Sequence, residues 1–508
     1  MRSVTNTILA TSIVLLAAPL CVQAELTSEQ EALTIARNYV SFILTNEGNW
    51  SGSEVAAVAS IEEFKRGDRT LGYFCAVQPQ GYLVLSLHKE LAPVKAYSSR
   101  CDLDPEAVEG LTDLIKDKME RILDAVEKQL GRPLAPDDQI GDLLAINYRA
   151  ISDELVSEDF EPQAYGEPRN ARGGAGMDYQ EGETLLPCNW HQQPPYNQQC
   201  PDLGCGEWAG YNNFNTNARV GCVAVVGAHL MRHWNWPPSG EGPFSDSYDW
   251  ANMCAEYIFD GTSWFNDENG VPVTWDQINA AAELCDEVGV AVGMDYGCDG
   301  SSATTSDLLA VFDDYFHYNE GQVKYRAMYE DPVDWFNLLK NSFNANRPVP
   351  YRVEEHAIIG DGWQEVWDQG HYHWYHMNYG WPSNGHDTWW ALDALYLGGI
   401  GAEYIIINVF PDNAIGTTVW LNYPAAVRYF DRDASGSFAS FDAGNGLQVL
   451  KSGFLLTNTG GASDVITLYG TPTAKTRFFL EGDLAGKTRI SIQGGAMKIN
   501  GGGEMVIR

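Results

Sequence analysis

The chain has 508 residues, 44% of them hydrophobic, and carries 68 acidic against 32 basic side chains, a formal net charge of −36. That length predicts about three domains with well-filled cores and excludes a broadly disordered chain. The charge excludes nucleic acid and anionic membrane surfaces as partners, since both repel a polyanion, and suits solubility outside the cell.

Arg2, the apolar stretch from Ile8 to Leu20 and the small-residue end Val22-Gln23-Ala24 predict a secretory signal peptide over residues 1–24, cut after Ala24. The stretch is shorter than the roughly 20 residues a membrane anchor needs. Leu20 also stands where a lipid-modified Cys21 would want a small residue. Next, Ser28 and Glu31 form a capping-box signature, and Leu33, Ala36, Tyr39, Val40 and Ile43 recur at helical spacing. The segment "GYFCAVQPQGYLVLSLHKELAPVKAYSS" alternates like strands around a turn, and Pro105 to Leu130 again predicts helix. Residues 25–165 are therefore expected to form a small α+β domain. From about Ser157 to Thr184 the pattern gives way to Gly, Pro and acid, as in an exposed, cleavable linker. A second domain, dense in Trp and Tyr, is expected over residues 166–412. Residues 413–508 turn Gly- and Thr-rich, with short alternating runs such as "RISIQGGAMKINGGGEMVIR" that predict a β-rich sandwich or solenoid without a convincing tandem repeat.

Ten cysteines are present, and Cys21 leaves with the signal peptide. Cys75 and Cys101 lie early, while Cys188, Cys200, Cys205, Cys254, Cys285 and Cys298 surround Cys222. Eight can pair and one is left over, and an odd thiol in an exported protein points to a reactive nucleophile. The stretch "RVGCVAVVGAHLMRHWNWPP" puts Cys222 at the head of an apolar run, Val223 to Trp234, that predicts a buried helix. At a helix N-terminus the free N–H groups and the dipole favour the thiolate, which predicts a lowered thiol pKa. Gly221 allows another chain or a substrate to come close. The competing reading is a buried structural thiol.

A thiolate nucleophile needs an imidazole and a group to orient it. In "EEHAIIGDGWQEVWDQGHYHWYHMNYGW", a hairpin folded about Trp367 with a turn at Asp368-Gln369-Gly370 sets His356 opposite Asn378, on one face. Asn378 would then hold the imidazole. An oxyanion donor is also required. Gln192, in the Pro-bearing loop "WHQQPPYNQQCP", presents an amide, and the Cys222 backbone N–H is a second donor. A zinc site from His371, His373 and His376, with Cys200 and Cys205 nearby in sequence, is disfavoured because His371 and His373 share one face of a strand and His376 points to the other. In the tail, Asp431, Asp433, Ser435, Gly436 and Asp442 occupy calcium-loop positions, but a plain acidic turn is favoured over a structural calcium site.

Taken together, "WHQQPPYNQQCP", "GCVAVVGAHLMRHWNWP", "VGMDYGCDGSSA", "NRPVPY", "HAIIGDGW" and "HMNYGW" resemble, in order, the motifs of the streptopain family of secreted papain-like cysteine peptidases. The resemblance runs from about Ala32 to Pro411. It implies a papain-like fold over residues 166–412 and an N-terminal propeptide over residues 25–165 that acts as an intramolecular inhibitor until cleaved. It further implies Cys222 as nucleophile, His356 as general acid/base, Asn378 as orienting residue and Gln192 as oxyanion donor. Trp381, Tyr379 and Gly221 would flank the substrate. The reaction implied is hydrolysis of protein or peptide substrates through an acyl-enzyme, with no cofactor required. Tyr379 departs from the family's usual Trp, and the approach to His356 is short and acidic, with Glu354 and Glu355 where the family is rich in Gly and Ser. Those glutamates would raise the imidazolium's pKa or repel acidic substrates. A catalytically silent binding protein on the same fold, or an acyl transferase using the same Cys-His pair, are the alternatives.

Overall fold

The computed structural model describes residues 25–108, 110–162, 179–181, 184–206 and 216–411, apart from 319–320, 345–346, 354–355, 367–371, 383–387 and 392–402, and short strands between 448 and 505. The predicted signal peptide and calcium loop lie outside the described residues, as do most of the predicted linker, His371 and the predicted hairpin turn.

The chain opens with α1 (Glu29–Glu47), whose capping box forms as expected: Ser28 Oγ accepts the Glu31 N–H, and the Glu31 carboxylate accepts the Ser28 N–H. Its apolar stripe, including Tyr39 and Ile43, packs on an antiparallel meander of β1 (Ala57–Arg66), β2 (Arg69–Gln78), β3 (Tyr82–Ser86) and β4 (Val94–Ser98). Helix α2 (Gly110–Leu130) starts later than Pro105. The residues before it close back on its first turns, with Thr112 Oγ1 donating to Asp104 O at 2.7 Å and Lys116 Nζ to Pro105 O at 2.6 Å. α3 (Arg149–Leu155) ends this region.

Beyond it, β5 (Tyr179–Glu181) precedes α4 (Cys222–Trp234), the small hairpin β6 (Ile258–Phe259) and β7 (Phe265–Asn266), α5 (Trp275–Ala291) and α6 (Leu308–Phe316). A sheet region follows: β8 (Gln322–Tyr325), α7 (Pro332–Asn344), β9 (Val349–Val353), β10 (His356–Val366), β11 (Tyr372–Asn378), β12 (Thr388–Ala391) and β13 (Tyr404–Ile407). The strand order is β1-β2-β3-β4-β12-β11-β10-β9-β13-β8, with β5 added on the far end of β10. The two regions therefore share one 11-stranded sheet, joined where Tyr97 pairs with Trp389 and Ala96 with Trp390. β4 would otherwise leave a row of unpaired backbone groups, and β12 covers it.

The expected hairpin exists, but its register differs from a symmetrical fold about Trp367. Asn378 stands opposite Ile359, while His356 pairs with Val353 on its other side. The strands pair about a point two residues beyond Trp367, Val366 with Tyr372 and Trp363 with Tyr375, and a bulge between Gly360 and Gly362, which leaves Asp361 out of the ladder, then shifts the register by one residue. Its carboxylate turns inward, accepting the Leu186 N–H at 3.0 Å and meeting His376 Nδ1 at 2.6 Å.

Two apolar cores result, and they do not follow the predicted domain border. One runs from α1 and the meander into β10, β11, β12 and α7, and the other is built from α4, α5, α6 and the loops around them. In the tail, β14 (Gln448–Leu450), β15 (Gly453–Asn458), β16 (Val465–Gly470), β17 (Arg477–Phe478), β18 (Arg489–Ile492), β19 (Ala496–Gly501) and β20 (Glu504–Met505) are described. β15, β16 and β17 pair in parallel with β18, β19 and β20 in turn. Three successive strands stacked in parallel on the next three is the pattern of solenoid coils, whereas sandwich strands pair antiparallel.

Candidate active site

Cys222 is the first residue of α4, as its motif predicts, and a free, partly exposed thiol. Gly221 before it has φ +90, and a Cβ there would lie 2.6 Å from the Met294 sulfur, so glycine is required both by backbone and by space. The thiol accepts a hydrogen bond from the Ala357 N–H, which brings it against the start of β10, one residue from His356. Its pKa is not lowered as the helix N-terminus alone predicts. Burial pushes it up, outweighing the Ala357, Val223 and Cys222 amides and the Arg352 guanidinium, all of which favour the thiolate.

His356 is 9% exposed. Its Nε2 lies 2.8 Å from the Tyr379 carbonyl oxygen. A carbonyl only accepts, so Nε2 carries the proton and Nδ1 keeps its lone pair. Burial, assisted by Arg352, lowers the imidazole to about 4, against the raising effect of the Tyr379 bond. The resting pair is therefore a neutral thiol and a neutral imidazole at pH 7. The ring stacks on Trp381 at 4.4 Å between centroids and an interplanar angle of 12°, and Tyr379 stacks on Trp381 at 5.5 Å and on the imidazole at 6.4 Å.

The structure does not join Asn378 to His356. The Asn378 Oδ1 accepts the Gly380 N–H at 2.9 Å, its Nδ2 has no hydrogen-bond partner, and the side chain lines a cavity with His376, Asp361 and Cys188. Gly380, at φ +64, makes the turn that carries the chain from Tyr379 to Trp381. The group that meets the imidazole is thus a backbone carbonyl, for which no residue type gives a sequence signal.

Gln192 sits in a loop beside the residues that lead into Cys222, where the Val220 N–H donates to the Gln192 carbonyl at 3.1 Å. The loop is anchored by Trp190, fully buried, whose N–H donates to His229 Nε2 at 3.0 Å and whose Nε1 donates to Cys254 O at 3.0 Å. Arg352 is a second feature that the sequence reading passed over, since "RVEEH" draws attention to its glutamates. It stands opposite Ala357 on β9 and acts on both Cys222 and His356. Glu354 and Glu355 lie outside the described residues.

Pairing of eight cysteines is not observed. Among the described residues one disulfide forms, Cys205–Cys298, and Cys75, Cys188, Cys200, Cys222, Cys254 and Cys285 are free. Four of the other free thiols, Cys75, Cys188, Cys200 and Cys285, are buried within the apolar interior, where burial pushes Cys75 and Cys188 up to about 12 and makes them inert. Being left over thus does not distinguish Cys222; its place at a helix start beside His356 does. Of the clustered histidines, His373 packs tilted against Phe336 at 4.3 Å and His376 meets Asp361. Among the described residues the group of ligating side chains close enough to share an ion is Asp246, Glu283 and Glu287, away from both.

Residues 190–390 match the Peptidase C10 family and residues 24–122 match the Spi protease inhibitor. Streptopain of Streptococcus pyogenes is 22% identical over 403 residues, covering 74% of this chain and 87% of its own. The thiol protease/hemagglutinin PrtT of Porphyromonas gingivalis is 24% identical over 238 residues, 42% of this chain and 24% of its own. Among solved structures, a prointerpain A fragment of Prevotella intermedia is 19% identical, with 70% of this chain and 99% of that one covered at a TM-score of 0.47. Active interpain A from the same organism is 22% identical, with 45% and 95% covered at a TM-score of 0.33. Cys222, His356 and the Gln192 loop all fall within the matched 190–390 segment. The chain thus carries a segment similar to Peptidase C10, the family of streptopain-like cysteine peptidases, and ahead of it a segment similar to the Spi protease inhibitor.

Proposed function

We propose that the chain is a secreted cysteine endopeptidase made as a zymogen, with Cys222 as nucleophile and His356 as general acid/base. The observation that carries this reading is the meeting of a free thiol at the N-terminus of α4 with the first residues of β10, where His356 is held through Nε2 and keeps Nδ1 unprotonated. Nδ1 takes the thiol proton as Sγ attacks the carbonyl carbon of the scissile bond. The C–N bond then breaks, His356 returns the proton to the leaving amine, and the acyl group stays on Sγ. Water next attacks the thioester, giving its proton to His356, and the acid leaves as Sγ recovers its proton. The Gln192 side chain and the Cys222 N–H are the donors assigned to the oxyanion, and Trp381 and Tyr379 the aromatic wall beside the histidine.

Residues 25–165 are assigned as propeptide, 166–412 as peptidase and 413–508 as an appendage, with export directed by residues 1–24. The seam between propeptide and peptidase supports intramolecular inhibition. Tyr372 Oη accepts the Val94 N–H at 2.9 Å and donates to Val94 O at 2.6 Å, Tyr97 Oη donates to Gln364 at 2.9 Å, and Lys118 pairs with Glu403 at 2.6 Å. All of these contacts bear on the half of the site that holds His356.

The test incubates purified precursor beside Cys222→Ala under reducing conditions, following chain size and casein hydrolysis and locating iodoacetamide label by mass spectrometry. The wild type is expected to trim itself between about Ser157 and Thr184, to cleave casein and to be alkylated at Cys222, while the variant stays intact and inert. Identical behaviour of the two chains, with Cys222 unreactive even after trypsin removes the propeptide, would leave a binding protein on the same fold.

A further inference from the structure

The five residues before the nucleophile's glycine, Thr216 to Val220, run as a strip between two walls. On one side the 192–205 loop grips it. The Leu203 and Cys205 N–H groups donate to Thr216 O at 3.1 Å each, Ala218 N–H donates to Pro201 O at 2.9 Å, and Asn217 Nδ2 donates to Cys200 O at 2.9 Å. The same wall carries Gln192, whose carbonyl holds the Val220 N–H. On the other side the 294–301 loop grips it: Arg219 N–H donates to Gly297 O at 3.1 Å, its Nε to Cys298 O at 3.0 Å, and Ser301 Oγ donates to Arg219 O at 2.6 Å. Met294 from this wall fills the space beside Gly221. The Cys205–Cys298 disulfide ties one wall to the other across 93 residues of chain.

We propose that Cys205 and Cys298 are positioning residues whose disulfide closes the two walls around the strip that aims Cys222 and Gln192, and that the bond is a redox-sensitive clamp on peptidase activity. The inference rests on the reading of Cys222 as nucleophile. Its consequence is a conflict between two sulfur requirements within one site. Cys222 must be a thiol to attack, and so needs some reductant. The clamp must stay oxidised. A dithiol such as dithiothreitol opens it by attacking one sulfur, forming a mixed disulfide, then closing on itself. The Sγ–Sγ bond breaks, two electrons and two protons pass to Cys205 and Cys298, and the reductant becomes a cyclic disulfide. Cys205 is buried but Cys298 is partly exposed, which gives the attacking thiolate a way in.

With the clamp open, the strip keeps its backbone bonds, but the walls are no longer tied to each other and the distance from Cys222 to the Gln192 amide is less tightly set. Misplacement of reacting groups by about 1 Å costs as much as a hundredfold in rate. Activity is therefore expected to rise with weak reductant and fall with strong reductant, the falling limb carried by kcat, with a roughly tenfold loss while KM changes less than twofold.

The experiment uses the full-length chain, allowed to process itself, equilibrated across a dithiothreitol series. Initial rates of labelled-casein cleavage are measured over a range of casein concentrations, and each sample is quenched with iodoacetamide and mapped. Support is a falling limb that coincides with labelling of Cys205 and Cys298, and its absence in Cys205→Ser/Cys298→Ser, which keeps a low, reductant-independent plateau once Cys222 is reduced. The wild-type series stands by itself if the double variant does not fold. A rate that holds level while both cysteines become fully labelled overturns the clamp's effect on catalysis. Cysteines that stay unlabelled in the folded enzyme at every dithiothreitol concentration overturn its redox sensitivity. Casein cleavage that never depends on Cys222 is a different failure, that of the nucleophile assignment on which the clamp rests.

Discussion

The two halves of the proposed catalytic site are supported in different ways. Cys222 belongs to the helical core of α4, α5 and α6, in which the N-terminal region takes no part. His356, by contrast, starts a strand in the sheet that the N-terminal region extends, and the Tyr379 that holds it belongs to the core shared with α1 and the meander. Tyr39 meets Trp374 at 5.7 Å, and Tyr97 meets Trp374 and stacks on Trp389, all within that shared core. Removing the N-terminal region therefore strips packing from the histidine half and leaves the cysteine half intact. On the proposed zymogen reading, the difference puts control of latency at the imidazole and its carbonyl rather than at Cys222.

The largest effect expected is at the imidazole itself. His356→Ala removes the proton acceptor, and casein cleavage should fall by about three orders of magnitude or more, with Cys222 still open to alkylation once the propeptide is cut away. If activity survives within tenfold, the sheet half does not supply the base. Next comes the seam. Tyr97 is 1% exposed, and Tyr97→Ala should cost the precursor about 3 to 5 kcal/mol, read as a lowered urea midpoint. The same variant should process itself faster, and the finished peptidase, having lost that residue, should match the wild type. Unchanged processing would detach latency from the shared core.

Much of this organisation was legible in the chain. The capping box at Ser28, the buried helix behind Cys222 and the strand carrying His356 all rest on local patterns of apolar and capping residues, and the structure forms each of them. What was not legible depends on contacts distant in sequence. The register of β10 against β11 is centred two residues beyond Trp367 and is shifted by one residue more at the bulged Asp361, whose partners Leu186 and His376 lie on other segments. The junction of β4 with β12 joins two edges nearly 300 residues apart, roughly the reach over which no periodicity in either strand reports its neighbour. Cysteine parity failed because burial among apolar side chains, not pairing, accounts for most of the thiols. The parallel stacking in the tail joins strands distant along the chain, such as Leu455 with Arg489 and Val465 with Ala496, which alternation within either strand does not report.

Acid should act on the histidine half as well. The folded chain lowers His356 to about 4 from an ordinary 6.5, so between those values the unfolded chain binds a proton that the folded chain refuses. Stability from this source is complete above about pH 6.5 and is lost as pH falls toward 4, by up to about 3 kcal/mol. His88, lowered by burial in the N-terminal region, acts in the same direction. Urea midpoints of the Cys222→Ala precursor between pH 7 and 4 should fall with pH, and His356→Gln in that background should flatten the slope. An equal slope in both chains would place the acid sensitivity elsewhere, with His88 the next residue to replace.

The smallest effect expected is the most discriminating for how the imidazole is held. A side-chain amide at position 378 facing His356 would make Asn378 nearly as important as the histidine. In the structure the hold comes from the Tyr379 carbonyl, and Asn378 contributes one bond to the Gly380 N–H. Asn378→Ala should then cost about 1 kcal/mol through that turn, a loss of less than about tenfold in kcat/KM, with the pH profile of cleavage unmoved. A hundredfold loss with a shifted profile would mean that the side chain swings from the His376 cavity to the imidazole once the propeptide leaves. Asn378→Asp separates the two cases further. A carboxylate beside the imidazole would raise its pKa and move the profile's acid limb, whereas one left in the cavity with Asp361 would be repelled there and lower stability without moving that limb.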